Sequence, residues 1–285
     1  MIDYEKTDKQ YFAMDGLNAS HLKNVLKSCQ YAKYVRDNPI KASEAMHKGT
    51  VFHSAILEPV DFTDRFLVLP KEIKVNTIKG KTFAKEYFNE LGYEMPDTVK
   101  KASDLSEWLD YEGIETITHN LQHHALLAKT EVLKHDETRE ILKTGKPEVV
   151  VTGEIMGVQC KAKLDWLTPC NQTILDVKTC QDASYWSFQR DIAKYNYALQ
   201  AAFYHDLLWS NTGDAPQFGF KAVETKQPIG TALYWASQDM IEYGRSQYEK
   251  AIELWLEAEK TGIYPGYQNG SGEEIDMPAW EYKKG

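Results

Sequence analysis

The sequence is short of cysteine, of basic charge and of long apolar runs, and each shortage removes a class of protein. Four cysteines stand in 285 residues, at 29, 160, 170 and 180, and none forms a CxxC pair. That spacing fits no common zinc motif or dense disulfide framework, so reduced thiols in a cytosolic chain are expected. No apolar run approaches the roughly 18 residues of a membrane helix. The opening stretch MIDYEKTDKQ lacks the apolar core of a signal peptide. Acidic residues outnumber basic ones 42 to 33, for a net charge of −9. That balance excludes a protein that coats nucleic acid with positive charge. It leaves room for a nuclease, because carboxylates that hold a metal add negative charge locally. Internal repeats and low-complexity tracts are missing as well.

What is present is an ordinary globular composition, 42% hydrophobic and 26% charged, in a chain long enough for one sizeable core. MDGLNASHLKNVLKSCQYAKYVRDNP predicts one helix, capped by Asn18 or Ser20 and ending before Pro39. SEAMHKGTVFHSAILEP predicts a second, interrupted or begun near Gly49 and stopped at Pro59. Residues 60–105 are mixed, a loop and then a helix in VLPKEIKVNTIKGKTFAKEYFNE, and 104–143 read as helical. At Pro147 the character changes to β-branched alternation, which predicts three antiparallel strands over 148–156, 158–167 and 173–178. A long helix over 183–210, a hairpin in FKAVETKQPIGTALYWAS, a helix over 238–261 and an irregular Gly-rich tail complete the chain. The expectation is one domain over 1–285: a mostly helical part to 146, a core over 147–262 and a tail from 263.

The chemistry concentrates in the second and third of these strands. Period-two alternation puts Lys161, Lys163 and Asp165 on one face, and likewise Asp176 and Lys178. If the turn at TPCNQ lays the strands side by side, Asp165 and Asp176 reach one point. A hard cation such as Mg²⁺ is commonly held by one or two carboxylates with waters and substrate phosphates. Lys178 could then orient or deprotonate the attacking water and offset charge on the phosphorane, which is metal-assisted phosphodiester hydrolysis. Acid-x-Lys triplets also occur at Glu72–Lys74, Glu224–Lys226 and Glu281–Lys283, but only Asp176-Val177-Lys178 follows an apolar strand that is itself preceded by a strand ending in an acid. In the next helix Gln200 and Tyr204 stand four apart on one face, beside Ala198, Ala201 and Ala202, which permit close packing. Glu154 on the first strand is a further candidate for the site. Lys161, Lys163, Arg190 and Lys194 are candidate phosphate contacts. His119, His123 and His124 read as a solvated helix face, since no HExxH pattern accompanies them. Trp166, Trp186 and Trp209 read as core.

Taken in order, Asp165, Asp176-Val177-Lys178 and Gln200-x-x-x-Tyr204 resemble the PD-(D/E)xK nuclease core in its RecB-like branch. The Gly-x-x-x-His motif of that branch is supplied upstream by Gly49 and His53 in KGTVFHSAILEP. GTVFHSAILEP, LDVKT and YNYALQAAFYHD are especially similar to RecE-type exonucleases, the exonuclease VIII nuclease domain of phages and prophages, over about residues 15–260. The second acid is Asp where many relatives have Glu, a feature that RecE-like members share. The resemblance implies a restriction-endonuclease-like α/β core with a central mixed sheet flanked by helices. It implies metal ligation by His53, Asp165, Asp176 and the Val177 carbonyl, with Lys178 as catalytic lysine. Gln200 and Tyr204 would support the site or contact the DNA backbone. The implied activity is Mg²⁺-dependent digestion of linear double-stranded DNA from a 5′ end, with Mn²⁺ able to substitute. The implied partner is a RecT-like single-strand annealing protein, and the implied assembly a ring-shaped tetramer in the cytoplasm of a bacterial host. Alternatives are a Cas4- or AddB-like nuclease and a DNA-binding protein of the same fold without catalysis. The first would need an iron–sulfur cluster held by one early and three late cysteines. Here the later cysteines lie around the active-site hairpin rather than after Gln200, so no cluster is expected.

Overall fold

Caps and turns divide the first half of the chain into short elements. A computed structural model describes residues 1–39, 43–268, 270 and 272–278. After an edge strand β1 (Ile2–Asp3) come α1 (Asp8–Ala13), α2 (Ala19–Lys27) and α3 (Cys29–Asp37). The single helix expected here is two. Ser28 leaves the helical region (φ −173°, ψ 149°) and its side chain accepts the Tyr31 N–H, which ends α2 and starts α3. Asn18, not Ser20, caps α2 by accepting the His21 N–H. Helix α4 (Glu44–Leu57) starts at a Ser43 cap and runs unbroken through Gly49. Then follow α5 (Phe62–Arg65), β2 (Phe66–Leu69), α6 (Ile78–Glu90), α7 (Ala102–Glu112), β3 (Glu115–Thr118), α8 (His119–Lys134) and α9 (Asp136–Ile141). Strands β2 and β3 form a parallel pair that neither the loop-and-helix reading of 60–105 nor the helical reading of 104–143 contains.

The second half carries the sheet: β4 (Lys146–Ile155), β5 (Val158–Leu167), β6 (Thr173–Cys180), α10 (Tyr185–Lys194), α11 (Tyr197–Thr212), β7 (Gln217–Glu224), β8 (Thr231–Trp235) and α12 (Gln238–Thr261). Strand order is β1-β4-β5-β6-β7-β8, with β6 and β7 parallel and the other pairs antiparallel. This is the mixed sheet flanked by helices that the sequence implied. β4 and β5 join through Met156 (φ 54°) and Gly157 (φ 73°), a two-residue connection of the kind whose left-handed backbone suits a hairpin. The long helix expected over 183–210 is broken in two by Asn196, which sits in the left-handed region (φ 50°, ψ 46°).

Both faces of the sheet are covered. On one face Leu164, Ile174, Phe218 and Phe220 pack with Leu22, Phe203, Ile252 and Trp255 from α2, α11 and α12. On the other, Trp166, Leu175 and Val177 meet Phe52 and Ile56 of α4 and Ala128 and Val132 of α8. Each such large apolar side chain, fully buried, is worth about 1.5–3 kcal/mol. Phe88, Trp108 and their neighbours form a smaller cluster in the α6–α7 lobe. Helix α2 thus belongs to the main core, although it lies in the helical N-terminal part. Close approach of α11 and α12 depends on Gly244, where a Cβ would lie 2.0 Å from the Ala198 carbonyl oxygen.

Candidate active site

The site opens where two strands part. β5 and β6 share only the pairs Trp166↔Leu175 and Leu167↔Ile174 before diverging. In the widening gap, Asp165 Oδ2 accepts the Val177 N–H at 2.8 Å, a side chain standing in for the missing ladder bond. On β6, period-two alternation sends Leu175 and Val177 towards α4 and Asp176 towards α11. Asp176 is wholly buried, and its Oδ1 accepts from Gln200 Nε2 at 2.8 Å. The Lys178 ammonium lies 2.6 Å from Oδ2 and forms an ion pair with that buried oxygen. His53, one turn beyond Gly49 on α4, brings Nδ1 to 3.5 Å from Asp165 Oδ2.

The electrostatics follow from burial and like charge. Burial first, and then the Asp176 charge, push the Asp165 carboxyl up to about 7. Burial and the Lys178 charge lower the His53 imidazole, which keeps it neutral and able to ligate at neutral pH. Burial alone would lower Lys178, but Asp176 and Asp165 reverse that and raise it, so the ammonium holds its proton. Tyr204 is raised well above the usual phenol range by burial and then by Tyr11, Asp176 and Asp165.

Two further residues enter that sequence reasoning missed. Lys23 on α2 donates to Gln200 Oε1 at 2.8 Å. Burial and then the Lys178 charge lower the Lys23 ammonium to about 7. While it holds its proton it can only donate, which sets the Gln200 amide with oxygen towards Lys23 and nitrogen towards Asp176. Glu148 stands on β4 opposite Asp165, between the pairs Pro147↔Trp166 and Val149↔Leu164, with a left-handed φ of 56°. Strain of that kind at a non-glycine residue is held in place by its surroundings and clusters at functional sites. Burial and then the Asp165 charge raise its carboxyl, against the Lys163 ammonium paired with it. The acid that was expected to approach from this strand, Glu154, instead sits exposed at the hairpin turn opposite Gln159. It lies six residues along β4 from Glu148, about 20 Å away.

Several expected surface contacts are not at the surface. Lys161 is 5% exposed and donates to the carbonyls of Tyr11 (3.0 Å) and Met14 (2.5 Å), so it cannot meet a phosphate. Lys163 is tied to Asp8 and Glu148. Arg190 and Lys194 are exposed on α10. Trp166 is core, but Trp186 is 72% and Trp209 45% exposed, contrary to expectation. Glu224 ties the β7–β8 turn to the loop after β6 by accepting from the Gly230 and Ala183 N–H groups. Glu72 and Lys74 are solvated, and Glu281 and Lys283 lie outside the described residues.

The residue set suits a divalent cation even though no cluster of three or more His, Cys, Asp or Glu side chains is already assembled among the described residues. The donors are a neutral imidazole and two carboxylates, one paired with the Lys178 ammonium and one whose carboxyl is raised by burial and then by its neighbour's charge. Two like charges held this close gain from a cation between them. The family of PDDEXK-like domains of unknown function called DUF3799 matches residues 18–276. The chain belongs to that family. A crystal structure of a candidate exonuclease from Eubacterium rectale aligns with this DUF3799 chain over 99% of both chains, at a TM-score of 0.61 and 13% identity. At that identity the likeness speaks for the fold. A phage-related exonuclease from Haemophilus somnus 129PT aligns over 88% of this chain and 98% of its own, at 13% identity and a TM-score of only 0.35. No curated protein matches the chain.

Proposed function

We propose that this DUF3799 chain is a metal-dependent nuclease, and specifically a RecE-type exodeoxyribonuclease that digests linear duplex DNA with Mg²⁺. The observation that carries the reading is the meeting of His53, Asp165, Asp176 and Lys178 where β5 and β6 part. His53, Asp165, Asp176 and the Val177 carbonyl would hold the cation, which when bound supplies Lewis acidity at a phosphoryl oxygen and acidifies water. The chain's own residues do the rest. His53 offers a ring nitrogen free of a proton. Asp165 gives up its proton to ligate, which makes binding favour pH above about 7. Gln200, itself oriented by Lys23, holds the Asp176 carboxylate in one rotamer. Lys178 keeps its proton, so it serves as a fixed positive charge beside the phosphate rather than as the base. No helix among the described residues is long and apolar enough to cross a membrane. Digestion from a 5′ end, a RecT-like annealing partner and a ring tetramer belong to the same reading by sequence resemblance, as does a phage or prophage origin.

The test is digestion of end-labelled linear duplex with and without Mg²⁺, on wild type and Asp176→Ala. The expected result is exonucleolytic release by wild type with Mg²⁺ or Mn²⁺, none with Ca²⁺, and none by the variant. Ca²⁺ takes more oxygens at longer distances and so positions the phosphate poorly. Wild-type protein inert on DNA with either active metal, or a variant that still cuts, would overturn the assignment.

A further inference from the structure

Helix α10 carries a surface that the catalytic reading leaves unused. Its exposed positions are Tyr185, Trp186, Gln189, Arg190, Ala193 and Lys194. None is acidic, in a chain of net charge −9. Trp186 is 72% exposed, Tyr185 56%, and Tyr195, just past the helix, 46%. Large rings left in water beside two cations are costly unless something covers them.

The surface is continuous with the candidate site. The Lys178 ammonium lies 4.9 Å from the centre of the Tyr197 ring, whose centre is 5.6 Å from that of Tyr195. Lys194 sits over the Tyr195 ring at 4.9 Å. At the start of the helix the Tyr185 and Trp186 rings are 5.0 Å apart, and Tyr185 also meets Tyr234 at 5.9 Å. Beside them a cleft of about 550 Å³ opens between α10 and α12, walled by Tyr185, Phe188, Tyr234, Trp235 and Tyr243. Acids stand nearby but turn to other work or lie to the side. Asp182 caps the Ser184 N–H, Asp191 is half-buried, and Asp239 lies on the far wall of the cleft.

We propose that the exposed face of α10, with Tyr195, seats an unpaired DNA strand running to or from the Lys178 site. The inference rests on the nuclease reading and names a substrate form that this reading leaves open. Rings interleaved with cations suit a single strand, because an unpaired base offers its π-face to an aromatic while Arg190 and Lys194 meet the phosphates. A duplex keeps those faces stacked inside and could offer only its end.

The test is fluorescence anisotropy of a labelled oligo-dT on the full chain in EDTA, where cleavage cannot occur, beside a blunt hairpin duplex of equal charge. Trp186→Ala is expected to weaken oligo-dT binding roughly 5- to 150-fold, the range for loss of one stacked base. Trp186→Tyr should restore most of it, and Arg190→Ala with Lys194→Ala should flatten the salt dependence. Because Trp186 is mostly in water, melting curves should not move. Oligo-dT affinity within twofold of wild type in Trp186→Ala, or an equal loss on the hairpin, overturns the proposal. A change in sedimenting mass with unchanged oligo-dT affinity also overturns it, by making the face an interface between copies of this chain. Wild-type digestion with Mg²⁺ is scored separately. Oligo-dT binding without digestion sinks the nuclease reading alone, and digestion without oligo-dT binding sinks the strand seat alone.

Discussion

Replacing Asp165 with asparagine should stabilise the metal-free protein at alkaline pH and leave it unchanged in acid. Asp165 is pushed up to about 7 from an ordinary 3.8, by burial and then by the Asp176 charge. A carboxyl whose folded-state value is raised binds its proton more tightly in the folded chain. Its stabilisation is therefore fully present below about pH 4 and is lost as pH rises through about 7. At about 1.4 kcal/mol per pH unit, the whole loss is about 4 kcal/mol, and the part between pH 5 and pH 8.5 is about 3 kcal/mol. The asparagine side chain has the shape of the protonated acid and keeps an oxygen for the Val177 N–H, but it never ionises. Wild type and Asp165→Asn should therefore melt together below about pH 4, and at pH 5, where the unfolded carboxyl has already ionised, the variant should lead by about 2 kcal/mol. At pH 8.5 the variant should lead by about 4 kcal/mol, on the order of 8 °C for a chain of this size, so the gap widens by about 3 kcal/mol from pH 5. Mg²⁺ at pH 8.5 should raise the wild-type melting temperature and barely move the variant, since only the carboxylate gains from the cation. The assay is calorimetry or circular dichroism in EDTA and in Mg²⁺. A variant less stable than wild type at pH 8.5, or a gap that is the same at both pH values, would refute the idea that Asp165 is held in unfavourable charge proximity.

Lys178→Ala should slow single-turnover cleavage about a hundredfold or more, at least ~2.7 kcal/mol, while DNA affinity in Ca²⁺ falls far less. Weak binding with near-normal cleavage would make Lys178 a docking residue. Lys221→Met should stabilise the fold by about 3 kcal/mol at pH 7 in urea titrations, because burial lowers a partnerless ammonium to about 8. That gain should shrink as pH rises from 8 to 10.5, where wild type sheds the proton it holds at a disadvantage. Asp206→Ala should cost roughly 3 kcal/mol, since Asp206 accepts from Arg245 Nε at 2.7 Å and from the Tyr248 hydroxyl at 2.6 Å across α11 and α12. A loss under about 1 kcal/mol would show that this clamp contributes little.

The sheet was legible because period-two alternation and turn chemistry act locally. β-Branched residues at 149–151 and the Met156-Gly157 turn set the β4–β5 hairpin without help from the rest of the chain. What failed were breaks caused by single polar residues. Ser28 and Asn196 each sit inside an unbroken helical pattern, and each can trade helix for a local alternative, a capping serine or a left-handed asparagine. Strands β2 and β3 were missed for the opposite reason. They are four residues long, too short for either period to declare itself, and they exist because they pair with each other.

The candidate site divides along the same line between local and distant causes. Asp176 and Lys178 share one strand and Gly49 and His53 one helix, so their spacing carries the signal. Glu148 does not lie on a motif. Its place beside Asp165 comes from hairpin register, and six residues separate it from Glu154, the acid on this strand that was expected to approach the site. The same register explains Lys161 and Lys163. They alternate with the site's strand, but α1 and the turn after it cover that face and take up both ammonium groups. Lys23 is the hardest case, 177 residues from Gln200 and on a helix whose apolar pattern announces only a core face. A lysine next to a buried leucine reads as a solvated neighbour until α2 is known to pack against α11. Once it does, its hydrogen bond to the Gln200 oxygen leaves the amide nitrogen for Asp176, the carboxylate on which the site depends.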